Sequence, residues 1–152
     1  MADFVVDTSG MKSASLRGEL AAIFTDASSR SKFTVNVESF GYKNGIPLEA
    51  DMVFDVRFIP NPFYVASLKK LTGNNHKVRD YVLRHPESEK FIQDVCSLIQ
   101  ALLPSFEREG KYHLNVAFGC TGGHHRSVVM ANAFAEAFRE SGHTVTLAHR
   151  DL

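Results

Sequence analysis

The stretch that decides the fold is L-N-V-A-F-G-C-T-G-G-H-H-R-S, at residues 114–127. It begins with a short apolar run of the kind that is buried in parallel sheets, and a turn with three glycines follows. Residues 127–140 then read S-V-V-M-A-N-A-F-A-E-A-F-R-E, in which apolar side chains recur at helical spacing. These side chains are Val128, Ala131, Phe134, Ala135 and Phe138. The sequence therefore predicts a buried strand, a glycine turn and the N-terminus of a helix, in that order.

The glycine turn, which we define as residues 119–127, is typical of an anion-binding site. Gly119, Gly122 and Gly123 let the backbone approach a ligand, and successive N–H groups in such a turn can converge on an anion. The N-terminus of the helix favours negative charge, and the guanidinium of Arg126 can donate two hydrogen bonds to phosphate oxygens. The turn has neither the lysine of a Walker A loop nor the G-x-G-x-x-G pattern. We predict that it holds the phosphate of a small ligand; a tight turn without a ligand is the alternative.

The same turn fits the pattern C-x-x-G-x-x-R-S of cysteine-dependent phosphatases, from Cys120 to Ser127. In that alternative, Cys120 is the nucleophile, Arg126 clamps the phosphate oxygens and Ser127 assists departure of the thiolate. Asp55 is then the candidate general acid. Because Gly119 stands where a histidine usually precedes the cysteine, we favour binding over catalysis.

Two further pairs of residues are candidates for reading the rest of the ligand. F-D-V-R-F at residues 54–58 lies in a predicted strand over residues 52–59, and alternation places Asp55 and Arg57 on one face. There they can contact a sugar, or form a simple ion pair at a sheet edge. His149 and Arg150 follow a strand predicted at residues 144–148, and ligands gather at the carboxyl ends of parallel strands. They can therefore reach the same pocket, unless the segment is frayed.

The remaining elements follow from periodicity and turn residues. We predict strands at residues 3–8 and 33–40, helices at 13–26 and 75–84, and a helix from Pro86 that stops or kinks at Pro104. Residues 105–112 are expected to be a polar connection, and residues 63–73 a loop or short helix. The basic stretch at residues 69–84 is interpreted as a solvated face, with contact to nucleic acid as the less favoured hypothesis.

Composition limits the kind of protein. The 152 residues predict a single domain, and a hydrophobic content of 44% is enough for a full core. Seventeen basic residues balance seventeen acidic ones, which argues against a generic polyanion binder. No apolar run is long enough for a membrane span and no signal peptide is visible. Two cysteines indicate a reduced, cytoplasmic protein, and we predict neither a metal nor a cofactor.

Six short motifs together resemble the C-terminal domain of the RapZ / YvcJ family. They are V-D-T-S at 6–9, E-S-F-G-Y-K-N-G-I-P at 38–47, F-D-V-R-F-I-P-N-P at 54–62, L-T-G at 71–73, G-C-T-G-G-H-H-R-S at 119–127 and H-R-D at 149–151. The resemblance covers essentially the whole chain. Residues 1–10 are similar to the junction that follows an N-terminal P-loop domain in full-length members, and that P-loop is absent from this sequence.

The resemblance implies an α/β fold, with flanking helices in a three-layer-like arrangement similar to a sugar-phosphate-binding subdomain of phosphofructokinase. It implies a non-catalytic phosphosugar sensor for glucosamine-6-phosphate, coupled to small RNA and to an RNase or another protein partner, and a homo-oligomer. Phe63 stands where the RapZ branch has a histidine in its ligand pocket. The ligand contacts implied by the matching motifs are Asp55, Arg57, Thr121, Gly122, His125, Arg126 and Ser127. To these we add Cys120, Gly123, His149 and Arg150 from their predicted positions.

Overall fold

The computed structural model describes residues 32–152, in which four parallel strands form one sheet in the order β2-β3-β1-β4. The strands are β1 (Thr34–Gly41), β2 (Met52–Asp55), β3 (His113–Cys120) and β4 (Thr144–His149). The helices are α1 (His76–Leu83), α2 (Pro86–Glu109) and α3 (Arg126–Glu140), with short 3-10 turns at Tyr42–Asn44 and Pro62–Tyr64. The elements predicted at residues 3–8 and 13–26, and the junction at 1–10, lie outside the described residues.

One face of the sheet is apolar and carries the described helices. The parallel register places Val37 beside Val116 and Leu147, so that these three side chains share one face. Phe134 and Phe138 of α3 are fully buried against this face, and α1 and α2 complete the same core. The predicted α/β class, with a parallel sheet and flanking helices, is confirmed, while the similarity to a phosphofructokinase subdomain stays a prediction.

The opposite face of the sheet is polar at its centre. Asn36 Nδ2 donates to Asn115 Oδ1 at 2.9 Å, and Thr146 Oγ1 donates to Asn36 Oδ1 at 2.7 Å. The three side chains thus form a hydrogen-bonded row across β3, β1 and β4. Among the described residues, the loop between β1 and β2 approaches this face through Asn115 Nδ2, which donates to the carbonyl of Glu49.

Two predicted boundaries are wrong. The strand expected over residues 52–59 ends at Asp55, because Asp55 accepts hydrogen bonds from both the backbone and the side chain of Arg57 and turns the chain. The helix expected to stop or kink at Pro104 continues to Glu109, so the stop is wrong and most of the predicted polar connection is helical, while the kink stays a prediction. Proline removes the bond to the carbonyl of Gln100, but both residues are exposed and water can replace that donor.

The order of the strands brings their carboxyl ends together at the glycine turn. Gly41 pairs with Cys120, and Asp55 pairs with Gly119, so β1 and β2 end on either side of the end of β3. Within residues 32–152, no helix is both long enough and apolar enough to cross a membrane.

Candidate functional site

The glycine turn connects β3 to α3 as predicted. Cys120 is the last residue of β3, Arg126 is the first of α3, and Gly123 between them has a φ of +77°. That backbone conformation is strained for residues with a side chain, which explains the choice of glycine there.

Glycines also let two neighbouring segments, the end of β1 and the segment around Gly73, pack against the turn. A methyl group at Gly41 would lie 2.5 Å from the backbone carbon of Gly122, and one at Gly73 would lie 2.5 Å from the carbonyl oxygen of His125. A methyl group at Gly119 would lie 2.5 Å from the ring of Phe40. The absence of a side chain at Gly119 is therefore needed for packing against Phe40. The sequence had instead suggested that Gly119 lets the backbone approach a ligand.

A cavity of about 540 Å³ lies over the turn. This volume is within the range of small-ligand sites, roughly 300–1,000 Å³. The turn contributes one wall, with Cys120, Thr121, Gly122, His124, His125 and Arg126, and the facing wall consists of Lys43, Asn61, Phe63, Tyr64, Lys69, Lys70, Leu71 and Thr72. We call this space the turn cavity.

Arg126 is held rigidly beside the turn cavity. Its side chain is almost entirely buried, and its Nη1 donates to the backbone carbonyls of Arg57 at 2.8 Å and Ile59 at 2.9 Å. Burial lowers the pKa of the guanidinium from its ordinary value, but arginine stays charged in proteins. Its Nε is buried without a hydrogen-bond partner, so one donor of a fixed cation is unused.

His125 presents a second buried nitrogen without a partner, its Nε2. The residue is 9% exposed, and burial is the main cause that lowers its pKa. The ring is therefore neutral near pH 7 and can accept or donate one hydrogen bond at Nε2, according to its tautomer. The segment that faces the turn is fixed to this part of it, because the N–H of Gly73 donates to the carbonyl of His124 at 2.8 Å.

The Cys120 thiol lies at the start of the turn and is surrounded by donors. Its Sγ is 3.1 Å from the hydroxyl oxygen of Ser127 and accepts a hydrogen bond of 3.3 Å from the N–H of Gly123. Burial by itself would raise the pKa of the thiol. The hydroxyl and backbone of Ser127, the Gly123 N–H and the charge of Arg126 together outweigh burial and lower that pKa below its ordinary value. The site thus stabilises negative charge at the sulfur.

Asp55 and Arg57 form an ion pair outside the wall of the turn cavity. Arg57 Nη2 donates to Asp55 Oδ2 at 2.7 Å and Nε to Oδ1 at 2.9 Å, and both side chains are nearly half exposed. The hydrogen bonds from Arg57 lower the pKa of Asp55, which makes it a poor general acid in this arrangement. The guanidinium lies 4.2 Å from the ring centre of Tyr42. The ion-pair alternative is therefore present, and contact of this pair with a ligand stays a prediction.

The H-R-D motif is ordered and makes contacts away from the wall of the turn cavity, so the frayed alternative is wrong. His149 Nδ1 lies 2.7 Å from Ser39 Oγ, and its Nε2 lies 3.1 Å from Asn132 Oδ1. Arg150 Nη2 donates to the carbonyl of Gly45 at 2.7 Å. These bonds connect β4 to β1, to α3 and to the turn after β1. Direct contact of His149 or Arg150 with a ligand stays a prediction.

Sequence reasoning missed much of the facing wall. Lys43 reaches the turn cavity because its backbone N–H donates to the carbonyl of Thr121 at 3.2 Å. Lys69 Nζ lies 4.6 Å from the ring centre of Phe63, and Lys70 and Tyr64 also line the cavity. The available signal was the basic pair at residues 69–70, which periodicity alone assigns to a solvated face. No cluster of three or more His, Cys, Asp or Glu side chains suited to a metal is present among residues 32–152.

Comparison with known proteins matches most of the chain. The family model described as the RapZ C-terminal domain matches residues 33–152. A nucleotide-binding protein of Caldanaerobacter subterraneus subsp. tengcongensis is 46% identical over 152 residues, which are 100% of this chain and 54% of that protein. A nucleotide-binding protein of Bacillus pumilus is 47% identical over 151 residues, which are 99% of this chain and 50% of that protein. The chain thus spans about half the length of the curated relatives it matches.

Proposed function

The chain belongs to the RapZ C-terminal domain family, and we propose that it is a non-catalytic regulatory domain that senses a phosphosugar. The proposed ligand is glucosamine-6-phosphate or a related phosphorylated metabolite, with its phosphate at the glycine turn. Occupancy regulates a partner or an oligomer only when the ligand binds two states of the protein with different affinity.

The observation that carries this proposal is the pair of buried nitrogens without partners, Arg126 Nε and His125 Nε2. Both residues line the turn cavity. An unsatisfied buried polar group costs about 1–3 kcal/mol, and more when it is charged. The fixed positive charge of Arg126 attracts an anion in the cavity, and a ligand oxygen that reached the buried Nε would also remove this cost.

Three lysines extend the positive charge across the turn cavity. Lys43, Lys69 and Lys70 lie on the wall that faces the turn, so a bound anion has cations on both sides. Phe63 and Tyr64 also line the cavity and give it an aromatic surface. An ammonium group can lie over an aromatic face. The ring of Phe63 already holds the ammonium of Lys69 in this way, so the exposed ring of Tyr64 is the one that can accept the ammonium of an amino sugar.

Calorimetric titration of the domain with glucosamine-6-phosphate, glucosamine and inorganic phosphate tests the proposal. We expect saturable binding of the phosphosugar, weaker binding of phosphate, and none of glucosamine. Arg126→Gln should weaken phosphosugar binding by about 30-fold or more, the loss expected for a buried charge-assisted hydrogen bond. Lys77→Gln, which removes an exposed charge on α1, is the matched control and should leave affinity unchanged. Absence of binding by the wild type would exclude the sensor function.

A second candidate function, cysteine-dependent phosphatase activity, is favoured by the donors around the Cys120 thiol. A thiolate stabilised by Ser127 and placed beside a fixed arginine suits attack on phosphorus. Its weak point is the acid, because Asp55 is engaged by Arg57. Turnover of an aryl phosphate that disappears in Cys120→Ser would support it, and equal background rates in both proteins would exclude it.

Small-RNA binding and an RNase-adapter role, which the family resemblance implies, remain proposals for this chain. The favouring observation is that Lys69 and Lys70 lie on the turn cavity, where a polyanion and a phosphosugar would use the same cations. Binding of a structured RNA should then weaken steeply with salt, and on charge reversal at both lysines. Salt-insensitive binding would count against this role.

A further inference from the structure

We propose that Cys120 is an oxidation site that controls the anion site: hydrogen peroxide converts its thiolate to a sulfenic acid, and oxidation and anion binding oppose one another. The oxidation itself is independent of the proposed phosphosugar function, while the opposition to anion binding rests on it.

The first support is the position of the sulfur at the N-terminus of α3. Ser127 Oγ lies 3.1 Å from Cys120 Sγ, and the N–H of Gly123 donates to the sulfur at 3.3 Å. Donors from the turn and the helix thus converge on the sulfur, an arrangement that favours the thiolate. Thiolates, and not thiols, are the forms that peroxides oxidise.

The second support is independent of the cysteine. Arg126 lines the same cavity and is only 5% exposed, and its Nε has no hydrogen-bond partner. A fixed cation with an unused donor is suited to an anion, and it also interacts electrostatically with the Cys120 sulfur. A bound anion would therefore lie in the same electrostatic field as the thiolate. Two negative charges at one site oppose each other, and the bound anion also covers the route to the sulfur.

The second cysteine is an internal control. Cys96 is half-buried on α2, and burial raises the pKa of its thiol. The donors around Cys120 come from the glycine turn at residues 119–127, whereas Cys96 lies on α2. The two thiols are therefore in different environments within the same protein. The fold thus separates a thiolate-stabilising position from an ordinary one.

The reaction balances with peroxide as the named oxidant. The thiolate sulfur attacks one peroxide oxygen, an S–O bond forms, the O–O bond breaks, and hydroxide leaves and is protonated to water. Sulfur loses two electrons, which the peroxide gains. Dithiothreitol reduces the sulfenic acid in two steps: one of its thiols forms a mixed disulfide with Cys120 with loss of water, and its second thiol then attacks that disulfide, releases the Cys120 thiol and leaves oxidised dithiothreitol. Because Cys120 is only 3% exposed, small peroxide should reach it faster than a bulky maleimide.

The test uses the wild-type protein, so that it depends on no variant that fails to fold. Hydrogen peroxide is added for increasing times and removed with catalase, and the protein is then unfolded in urea with dimedone, which traps sulfenic acid. Trapping therefore does not depend on burial, and peptide mass mapping measures labelling at both cysteines against the time of exposure to peroxide. We expect Cys120 to be labelled faster than Cys96, because the donors around its sulfur favour the thiolate, the form that peroxide oxidises. Equal rates, or faster labelling at Cys96, would overturn the proposal. The same sample in urea controls for intrinsic reactivity, and there the two rates should converge.

A second arm repeats the labelling with inorganic phosphate at ten times the dissociation constant measured by calorimetry. Only about one protein in eleven is then free, so Cys120 labelling should slow about tenfold while Cys96 is unaffected. Unchanged labelling despite measured binding would overturn the opposition between oxidation and anion binding. Fast labelling in a protein that binds no anion would support the thiol chemistry and overturn the phosphosugar function, which separates the two proposals.

Discussion

The carboxylate of Asp151 accepts a hydrogen bond from the backbone N–H of Gly41, with 2.7 Å between Oδ2 and the nitrogen. The bond fixes the end of β1 to the turn that follows β4. Arg150 Nη2 donates to the same carboxylate oxygen at 2.8 Å. A methyl group at Gly123 would lie 2.8 Å from the Asp151 Cβ, so this carboxylate also lies against the glycine turn. Asp151 thus contacts both the end of β1 and the glycine turn, and it helps to hold these two segments together at one side of the site.

The first prediction concerns the charge of Asp151. Asp151→Asn should lower the free energy of unfolding at pH 7 by about 1–2 kcal/mol, because a charge-assisted hydrogen bond and an ion pair are both lost. The Arg150 and Gly41 donors lower the pKa of Asp151 to about 2, so the folded carboxylate stays charged where the unfolded one is protonated. The stability it contributes is present above about pH 4 and is lost between about pH 4 and 2.

Urea denaturation of the wild type and Asp151→Asn at pH 7 and at pH 3 measures this contribution. The difference between the two proteins should shrink at the lower pH. Asp80→Asn, at an exposed position on α1, is the matched control and should leave the free energy of unfolding unchanged at both pH 7 and pH 3. An Asp151→Asn protein as stable as the wild type at pH 7 would contradict the role assigned to this carboxylate.

The second prediction concerns the contact between β1 and the glycine turn. Gly41→Ala should both destabilise the fold by more than about 1 kcal/mol and weaken anion binding, because the new methyl group would push against the backbone of Gly122 at 2.5 Å. Gly142→Ala is the control. That residue has a φ of +90° and open space around it, so its substitution costs backbone strain without moving the turn. Calorimetry should therefore show reduced affinity for phosphate only in Gly41→Ala. Equal affinities in the two variants would show that the site tolerates displacement of β1.

The fold was predictable where one local pattern dominates. The apolar run before Gly119 and the spacing of Val128, Phe134 and Phe138 predict β3 and α3, and both are present. Boundaries failed where a single local contact overrides the pattern. The side chain of Asp55 accepts hydrogen bonds from Arg57, and β2 ends there. Pro104 is exposed, so water can replace the missing donor and α2 continues past it.

Apart from Phe63, which the family resemblance places at the pocket, the candidate site was predictable only on the side that is continuous in sequence. Residues 120–126 carry a recognisable motif, and their geometry as a strand-to-helix turn follows from it. The facing wall depends on contacts between residues far apart in the chain, such as the bond from the Lys43 N–H to the Thr121 carbonyl. Periodicity contains no information on such contacts, so Lys43 and Tyr64 were missed. Asp151 was visible only as part of the H-R-D motif, and its role as a support for Gly41 depends on the register of β4 against β1.

The third prediction concerns the pH dependence of anion binding. Sulfate is the appropriate probe because its charge is constant over the range tested. Despite burial, hydrogen bonds from Ser127 and Gly123 and the charge of Arg126 hold the pKa of the Cys120 thiol below its ordinary value, so it becomes a thiolate at a lower pH than an ordinary thiol does. Affinity for sulfate, measured between about pH 5 and about pH 8.5, should therefore fall as the pH rises, because the thiolate repels the anion.

Calorimetry of the Cys120→Ser protein provides the control, because serine keeps a small polar side chain that does not ionise in this range. Its affinity for sulfate should vary less with pH, and at high pH should exceed that of the wild type. A wild-type affinity that rises with pH, or the same pH dependence in both proteins, would show that Cys120 does not share the electrostatic field of the bound anion.

The fourth prediction concerns His149, which links β1 and α3 through Ser39 and Asn132. Burial lowers the pKa of the His149 ring below its ordinary value, so the unfolded chain binds a proton at a higher pH than the folded one. The free energy of unfolding should therefore be highest above about pH 6.5 and should fall as the pH decreases toward about 5. His149→Gln should reduce this pH dependence without abolishing it, because burial also lowers the pKa of His125. Urea midpoints measured across that range, with exposed His76→Gln as the control, would test this. An unchanged pH dependence in His149→Gln would mean that His149 is protonated in the folded protein as easily as in the unfolded chain.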